Sequence, residues 1–156
     1  MTKSSAGILL FRNGSKGLEV FLVHFGGPLW AKKDAAAWSI PKGEFGDGEE
    51  PLAAAKREFA EETGYFLDGD FLKLDPVKQP NGKIVHAWAF QGDCDPTTIR
   101  SNTFSMEWPP KSGRQTEFPE IDRADFFDVD AVSQKINAAQ MSFVDECKQI
   151  VREFIS

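Results

Sequence analysis

Residues Gly43 to Tyr65 read GEFGDGEEPLAAAKREFAEETGY, a glycine-rich segment followed by a helix-forming one. Pro51 suits the first helical position, because its fixed φ angle fits a helix and its missing N–H would have no partner there. Gly64 suits the left-handed residue that closes a helix. These signals predict a helix from about Pro51 to about Thr63, preceded by a turning loop.

The predicted helix has an apolar face. A spacing of three, four and seven residues is typical of the stripe that packs on a core. The residues that follow this spacing are Leu52, Ala55, Phe59 and Phe66. We therefore expect these four side chains to face the interior.

A second face of the same helix is acidic. Glu58, Glu61 and Glu62 stand at i, i+3 and i+4, so they share this face and repel one another. Arg57 is the only nearby cation of the helix that points toward them. The arrangement becomes favourable when a hard divalent cation lies among the carboxylates. A solvated acidic face is the alternative, but it leaves the glycines, the arginine and their spacing unexplained.

These residues complete a known signature, G-x5-E-x7-R-E-U-x-E-E-x-G-U, where U is apolar or aromatic. Its fixed positions here are Gly43, Glu49, Arg57, Glu58, Glu61, Glu62 and Gly64. The chain therefore resembles the Nudix hydrolases. The segments SIPKG (39–43), EFPEID (117–122) and ADFFDVDA (124–131) also resemble the surroundings of that signature in the family. The resemblance implies an α+β fold, a mixed β-sheet between helices (an α/β/α sandwich), in one domain over residues 1–156.

The resemblance also implies an activity. Nudix enzymes hydrolyse a nucleoside diphosphate linked to another group, and they depend on Mg²⁺ or Mn²⁺. Water attacks a phosphorus atom of the diphosphate, a displacement that needs positioned water and positive charge on the phosphate oxygens. Carboxylates on a rigid helix hold the metal ions that supply this charge.

Individual roles follow from the matching positions. By resemblance, Glu58 and Glu62 are the first metal ligands, Glu61 is the third, and the loop brings a backbone oxygen of Gly43 near the metal. Arg57 is expected to orient Glu58 or Glu49 through a bidentate contact that lysine cannot reproduce. The general base is Glu58 or, as the second choice, Glu61.

A further acidic ligand is expected from outside the signature. The candidates are Glu120 and Glu117, and an exposed loop carboxylate is the alternative interpretation for each.

Basic and aromatic residues outside the signature are candidates for substrate binding. Lys42, Lys111 and Arg114 are candidates for phosphate contacts, with solvated surface charges as the alternative. Trp30 and Trp108 lie among loop residues, so they are favoured over Trp38 and Trp88 for stacking on a base. His24 and His86 lie in strand patterns and are interpreted as structural, not as metal ligands.

Composition limits the classes of partner. A chain of 156 residues corresponds to about one domain, and its net charge of −6 argues against nonspecific binding to nucleic acid or to an anionic membrane. No segment approaches the roughly 20 apolar residues of a membrane span. The apolar run Ala6 to Phe11 is shorter than a signal-peptide core, and two cysteines do not make a disulfide scaffold. We expect a cytoplasmic monomer or homodimer that binds a small nucleotide.

The remaining elements follow from alternation and turn residues. Strands are predicted at residues 4–12, 18–24, 38–43, 71–77, 83–91, 106–108 and 124–129, and loops at residues 29–37, 94–104 and 109–114. A short helix is predicted from Val129 to about Ile136. Ser142 is a candidate cap for a last helix, whose apolar stripe is Phe143, Cys147, Ile150, Val151 and Phe154.

The substrate is the least determined property. The nearest types are dinucleoside polyphosphates, particularly diadenosine tetraphosphate, and nucleoside triphosphates. Basic residues near Lys111 suggest diphosphoinositol polyphosphates as an alternative. A noncatalytic nucleotide sensor on the same fold is the other alternative, although such proteins are expected to lose signature carboxylates and this chain keeps them all.

Overall fold

The computed structural model describes residues 4–15 and 17–154. Within this part of the chain an eight-stranded mixed sheet forms the centre, and a two-stranded hairpin lies apart from it. The strands are β1 (Ser4–Gly14), β2 (Gly17–Phe25), β3 (Trp38–Ser39), β4 (Lys42–Phe45), β5 (Leu72–Lys73), β6 (Val77–Lys78), β7 (Ile84–Gln91), β8 (Thr103–Glu107), β9 (Gln115–Pro119) and β10 (Ile121–Asp128). The helices are α1 (Pro51–Thr63), α2 (Val129–Lys135) and α3 (Met141–Phe154).

The sheet has the order β10-β2-β1-β7-β5, with β3 paired to β2, β4 to β1 and β6 to β7. The pair β1 and β7 is parallel, and the other pairs are antiparallel. β8 and β9 pair only with each other in the described residues. A mixed sheet between helices confirms the predicted α+β class.

Helices cover both faces of the sheet. Successive side chains of a strand point to opposite faces, so Ile8 packs toward Phe59 of α1 while Leu9 packs toward Phe143 of α3. Because both faces are covered, β1 is continuously buried from Ser5 to Phe11. Among the described residues, no helix is long and apolar enough to cross a membrane.

Helix α1 has the predicted bounds. Gly64 has a φ angle of 82°, and its N–H donates to the carbonyl of Ala60, which closes the helix. The prediction that Phe66 belongs to the apolar stripe is wrong, because its side chain is 89% exposed. The helix ends at Gly64, so helical spacing no longer sets the direction of residue 66.

The predictions were least accurate between residues 71 and 120. The single strand predicted at 71–77 is two short strands, β5 and β6. Strand β8 is longer than predicted and begins inside the predicted loop 94–104, which also contains a 3₁₀ turn at Pro96–Thr98. Strand β9 was not predicted. Its exposed positions alternate with half-buried ones, and the alternation contains only one large apolar residue, Phe118.

The start of α3 also differs from the prediction. Ser142 does not cap the helix, because α3 already begins at Met141, directly after a 3₁₀ turn at Ala138–Gln140. The side chain of Asn137 accepts a hydrogen bond from the N–H of Ala139 and caps that turn. Phe143 and Cys147 of the predicted stripe are buried.

Candidate active site

The carboxylate of Glu58 lies directly against the backbone of Gly43. A Cβ atom added at Gly43 would lie 2.1 Å from the carboxyl carbon of Glu58. Strand β4 and helix α1 therefore approach this closely only because residue 43 has no side chain. The close approach places the first residue of the signature beside the helix carboxylates.

Arg57 connects three carboxylates of the signature. Its Nε and Nη2 atoms donate to the two oxygens of Glu49 at 2.8 and 2.9 Å. Its Nη1 atom donates to Oε1 of Glu58 at 3.0 Å and to both oxygens of Glu61 at 3.1 Å. The bidentate contact is thus with Glu49, and it lowers the pKa of that carboxyl group. The same bonds raise the pKa of Arg57.

Three carboxyl groups of the site have raised pKa values, those of Glu58, Glu62 and Glu120. Glu62 is only 4% exposed, and its burial, with the nearby charges of Glu58 and Glu120, raises its pKa well above the usual value. Burial and the charge of Glu61 raise the pKa of Glu58 and of Glu120. Burial is the main cause of all three raised pKa values, and repulsion between the carboxylates adds to it.

Glu120 reaches this cluster through a series of backbone hydrogen bonds. The N–H of Asn102 donates to the carbonyl of Glu61, and the N–H of Glu120 donates to the carbonyl of Asn102. The carbonyl of Glu120 accepts from the N–H of Gly26, and all three bonds are 2.8 Å long. The series connects the last turn of α1 to the end of β2 and places Glu120 between them. Glu117 is exposed on β9, where it accepts a hydrogen bond from Thr103.

A pocket of about 310 Å³ opens beside these carboxylates. One part of its wall is polar and consists of Lys42, Glu62 and Glu120. Burial, and the charge of Lys83, lower the pKa of Lys42. The rest of the wall is formed by Gly26, Gly27 and six apolar side chains, Phe25, Leu29, Trp30, Phe104, Met106 and Ile121.

The structure brings only some of the predicted substrate residues to this pocket. Trp30 and Lys42 line it. Trp108, Lys111 and Arg114 lie at the far end of the hairpin, where the N–H of Trp108 donates to the carbonyl of Arg114. Lys111 and Arg114 are exposed, while Trp108 is half-buried. Their role in substrate binding stays a prediction.

Sequence reasoning missed the contribution of the hairpin to the pocket wall. Phe104 and Met106 alternate with exposed residues along β8, so their side chains lie on one face of the hairpin. Trp108, directly after β8, continues the alternation. Gly27 has a φ angle of 93° and lies under the ring of Phe104. The alternation at 104, 106 and 108 was the available sequence signal.

The donor atoms of this site are carboxylate and carbonyl oxygens. Oxygen donors of this type are the ligands that Mg²⁺ prefers. Within the described residues, no group of three or more histidine, cysteine, aspartate or glutamate side chains is already arranged as a metal site. Arg57 instead holds Glu49, Glu58 and Glu61 together.

Comparison with known proteins identifies the family. A family model described as NUDIX domain matches residues 1–147, so the chain belongs to the Nudix family. This match supports hydrolase activity, and enzymes of the family generally use divalent metal ions. No curated protein matches the chain significantly.

Solved structures share the fold. The Nudix domain of Shewanella oneidensis NrtR, complexed with ADP ribose, is 12% identical with a TM-score of 0.66, and the match covers 96% of this chain and 88% of that one. A C. elegans Ap4A hydrolase binary complex is 18% identical with a TM-score of 0.65, over 96% and 99% of the two chains. MutT from Aliivibrio salmonicida and Vibrio cholerae is the subject of a third structure, 14% identical with a TM-score of 0.57, over 97% and 98%.

Proposed function

We propose that this protein is a divalent-metal-dependent pyrophosphohydrolase that cleaves a nucleoside diphosphate linked to another group. We favour a dinucleoside polyphosphate or a nucleoside triphosphate as the substrate. The observation that carries the proposal is the polarity of the pocket. Glu62 of α1, Glu120 and Lys42 form one part of its wall, and the rest of the wall is glycine and apolar side chains.

The residues that would hold the metal are those of the carboxylate cluster. Glu58 and Glu62 on α1, with Glu61, Glu120 and the backbone carbonyl of Gly43, offer oxygen donors to Mg²⁺ or Mn²⁺. When bound, such an ion supplies positive charge to the phosphate oxygens and lowers the pKa of water. Arg57 holds Glu49, Glu58 and Glu61 in position through five hydrogen bonds.

Glu58 is the favoured general base. Its side chain is 13% exposed, compared with 36% for Glu61. Burial, with the charge of Glu61, raises the pKa of Glu58, and this favours Glu58 as the acceptor of a proton from the attacking water. Arg57 contacts only one oxygen of Glu58 but both oxygens of Glu61. The second oxygen of Glu58 is therefore not engaged by Arg57.

The apolar wall supports a substrate with a flat ring. Trp30 and Phe25 lie with ring centroids 5.0 Å apart, and Lys33 lies 4.9 Å over the Trp30 ring. Aromatic faces stack on any base. The ADP ribose complex and the Ap4A hydrolase among the structural neighbours support a nucleotide in this role.

A substrate panel tests the proposal. The protein is incubated with Mg²⁺ and with dinucleoside polyphosphates, nucleoside triphosphates, nucleotide sugars, dinucleotide cofactors and diphosphoinositol polyphosphates, and the products are identified. We expect a nucleoside phosphate product from one of the first two classes. Nucleotide binding without turnover of any compound would instead support a noncatalytic sensor.

Metal dependence is the first specific prediction. Mg²⁺ or Mn²⁺ is expected to raise the melting temperature, because a ligand that binds only the folded state stabilises it. Excess chelator is expected to abolish hydrolysis, and added Mg²⁺ to restore it. Calorimetry and product assays measure the two effects. Full activity in excess chelator would exclude the metal-dependent mechanism.

The aromatic wall gives a second prediction. Trp30→Ala is expected to weaken substrate binding by about 5–150-fold with little change in turnover, since stacking contributes about 1–3 kcal/mol per base. Trp108→Ala is the comparison, and we expect a smaller effect because Trp108 lies farther out on the hairpin. Steady-state kinetics and melting temperature are measured on both variants. A lower melting temperature with an unchanged KM for Trp30→Ala would assign that residue to packing alone.

A further inference from the structure

We propose that His24 is a positioning residue that fixes the Trp30 loop, defined as residues 27–37, against the pocket. This inference rests on the proposed function, because it takes the pocket to be the substrate site. His24 lies in β2 and is 0% exposed. Its Nδ1 atom lies 2.8 Å from Oδ1 of Asp122, and its Nε2 atom lies 2.6 Å from the carbonyl oxygen of Lys33.

Each partner of His24 adjoins residues that line the pocket. Asp122 directly follows Ile121, the first residue of β10, which lines the pocket together with Glu120. Lys33 lies in the Trp30 loop, which lines the pocket through Leu29 and Trp30. One buried imidazole in β2 therefore connects the Trp30 loop to the beginning of β10.

A bulge in β10 directs Asp122 toward the histidine. The register between β10 and β2 shifts between Ile121 and Arg123, so Asp122 is an extra residue beside the pair of Arg123 and His24. Bulges commonly re-aim a side chain in this way. Trp38, the partner of His24 on β3, packs edge-on at 5.2 Å between ring centroids and fixes the ring from its other side.

The hydrogen bond between His24 and the carbonyl of Lys33 holds the loop segment that contains Trp30. The N–H of Lys33 donates to the carbonyl of Trp30, and the N–H of Trp30 donates to the carbonyl of Gly27. A carbonyl oxygen only accepts, so Nε2 of His24 is the donor to Lys33. Without this donor, the carbonyl of Lys33 would lose its hydrogen bond to His24. His24 thus acts on the substrate only through the loop.

The strand sequence around His24 shows that packing does not require a polar residue there. Residues 20–25 read VFLVHF, and Val20 to Val23 are fully buried and apolar. A buried polar group in such a strand is unfavourable unless it is hydrogen-bonded. Both ring nitrogens of His24 have a partner, Nδ1 in Asp122 and Nε2 in the carbonyl of Lys33.

The test compares two substitutions at this position. His24→Leu removes both hydrogen bonds and fills the position with an apolar side chain, whereas His24→Gln keeps an N–H donor for the Lys33 carbonyl. With diadenosine tetraphosphate and Mg²⁺, we expect His24→Leu to raise KM by about 5–20-fold, with kcat within about threefold of wild type. We expect His24→Gln to stay within about threefold in both constants. Val144→Ala, a buried position on α3 that does not line the pocket, is the control for lost stability.

Amide hydrogen exchange in the Trp30 loop gives a readout that needs no substrate. Faster exchange at residues 30–37 is expected for His24→Leu, but not for His24→Gln or Val144→Ala. If His24→Leu does not fold, two other variants are compared. Asp122→Ala leaves the bond from His24 to Lys33 in place, and His24→Asn does not. Amide hydrogens of the Trp30 loop must then exchange more slowly in Asp122→Ala than in His24→Asn. Unchanged exchange in His24→Leu, or a lower melting temperature with unchanged KM, overturns the inference. Failure of the wild type to hydrolyse any nucleotide, with the exchange difference intact, overturns only the proposed function.

Discussion

Glu58→Gln is expected to lower turnover by about 10²–10⁴-fold, with KM changed much less. The substitution keeps the size of the side chain and removes the charge that accepts the proton or binds the metal. Stability is expected not to fall. Burial raises the pKa of Glu58 in the folded state. The free energy of unfolding therefore falls as the pH rises above the ordinary pKa of glutamate, because the charged carboxylate is disfavoured in the folded state. Glutamine carries no charge and removes this penalty at neutral pH.

Glu50→Gln is the matched control for this prediction. Glu50 is exposed at the N-cap of the same helix, and its side chain makes no capping hydrogen bond. Kinetics on both variants, with melting temperatures measured without metal, separate loss of chemistry from loss of fold. Near-normal turnover of Glu58→Gln with normal metal dependence would move the general base to Glu61 or Glu120.

Gly43→Ala is expected to lower turnover by about 10²-fold although it adds only one methyl group. The new Cβ would lie 2.1 Å from the Glu58 carboxyl carbon, so that carboxylate has to move away from its present position. Misplacement of a catalytic group by about 1 Å is enough for a loss of this size. Because Arg57 also bonds to Glu58, the displacement is expected to disturb the bond between Arg57 and Glu61 as well.

Gly48→Ala controls for the loss of a glycine in the signature segment, because Gly48 lies between β4 and α1. A Cβ added at Gly48 meets no atom within 4 Å. This variant is expected to keep its turnover, and its stability is expected to change by less than about 1 kcal/mol. Equal losses of activity in the two variants would show that backbone flexibility of the signature segment, rather than contact with Glu58, explains the requirement for glycine at position 43.

The parts of the site that lie close in sequence could be predicted from it. Pro51 and Gly64 define the ends of α1 through local backbone preferences, and helical spacing alone places Glu58, Glu61 and Glu62 on one face. The glycine at position 43 matched the signature, but the reason for it, contact with Glu58, became visible only in the structure.

The parts that depend on distant segments could not be fully predicted. Glu120 and Glu117 are both candidates in the sequence, with Glu120 preferred as the metal ligand. Both lie in one short acidic segment, and the sequence does not show which of the two side chains faces α1. The hairpin wall with Phe104 and Met106 was missed because polar residues separate its apolar ones and β9 gives little strand signal. Long-range packing, which decides both, leaves few traces in local sequence.

The backbone bonds that place Glu120 have a consequence for how the sequence can diverge. Every link from Glu61 through Asn102 and Glu120 to Gly26 joins main-chain atoms, so it does not depend on the side chain at residue 102. A substitution of residue 102 by any amino acid other than proline is therefore expected to leave these bonds and the position of Glu120 intact. A substitution at residue 26 is expected to be less well tolerated, since a Cβ there would lie 2.0 Å from the carbonyl oxygen of Pro119. We therefore expect related chains to vary more at residue 102 than at residue 26.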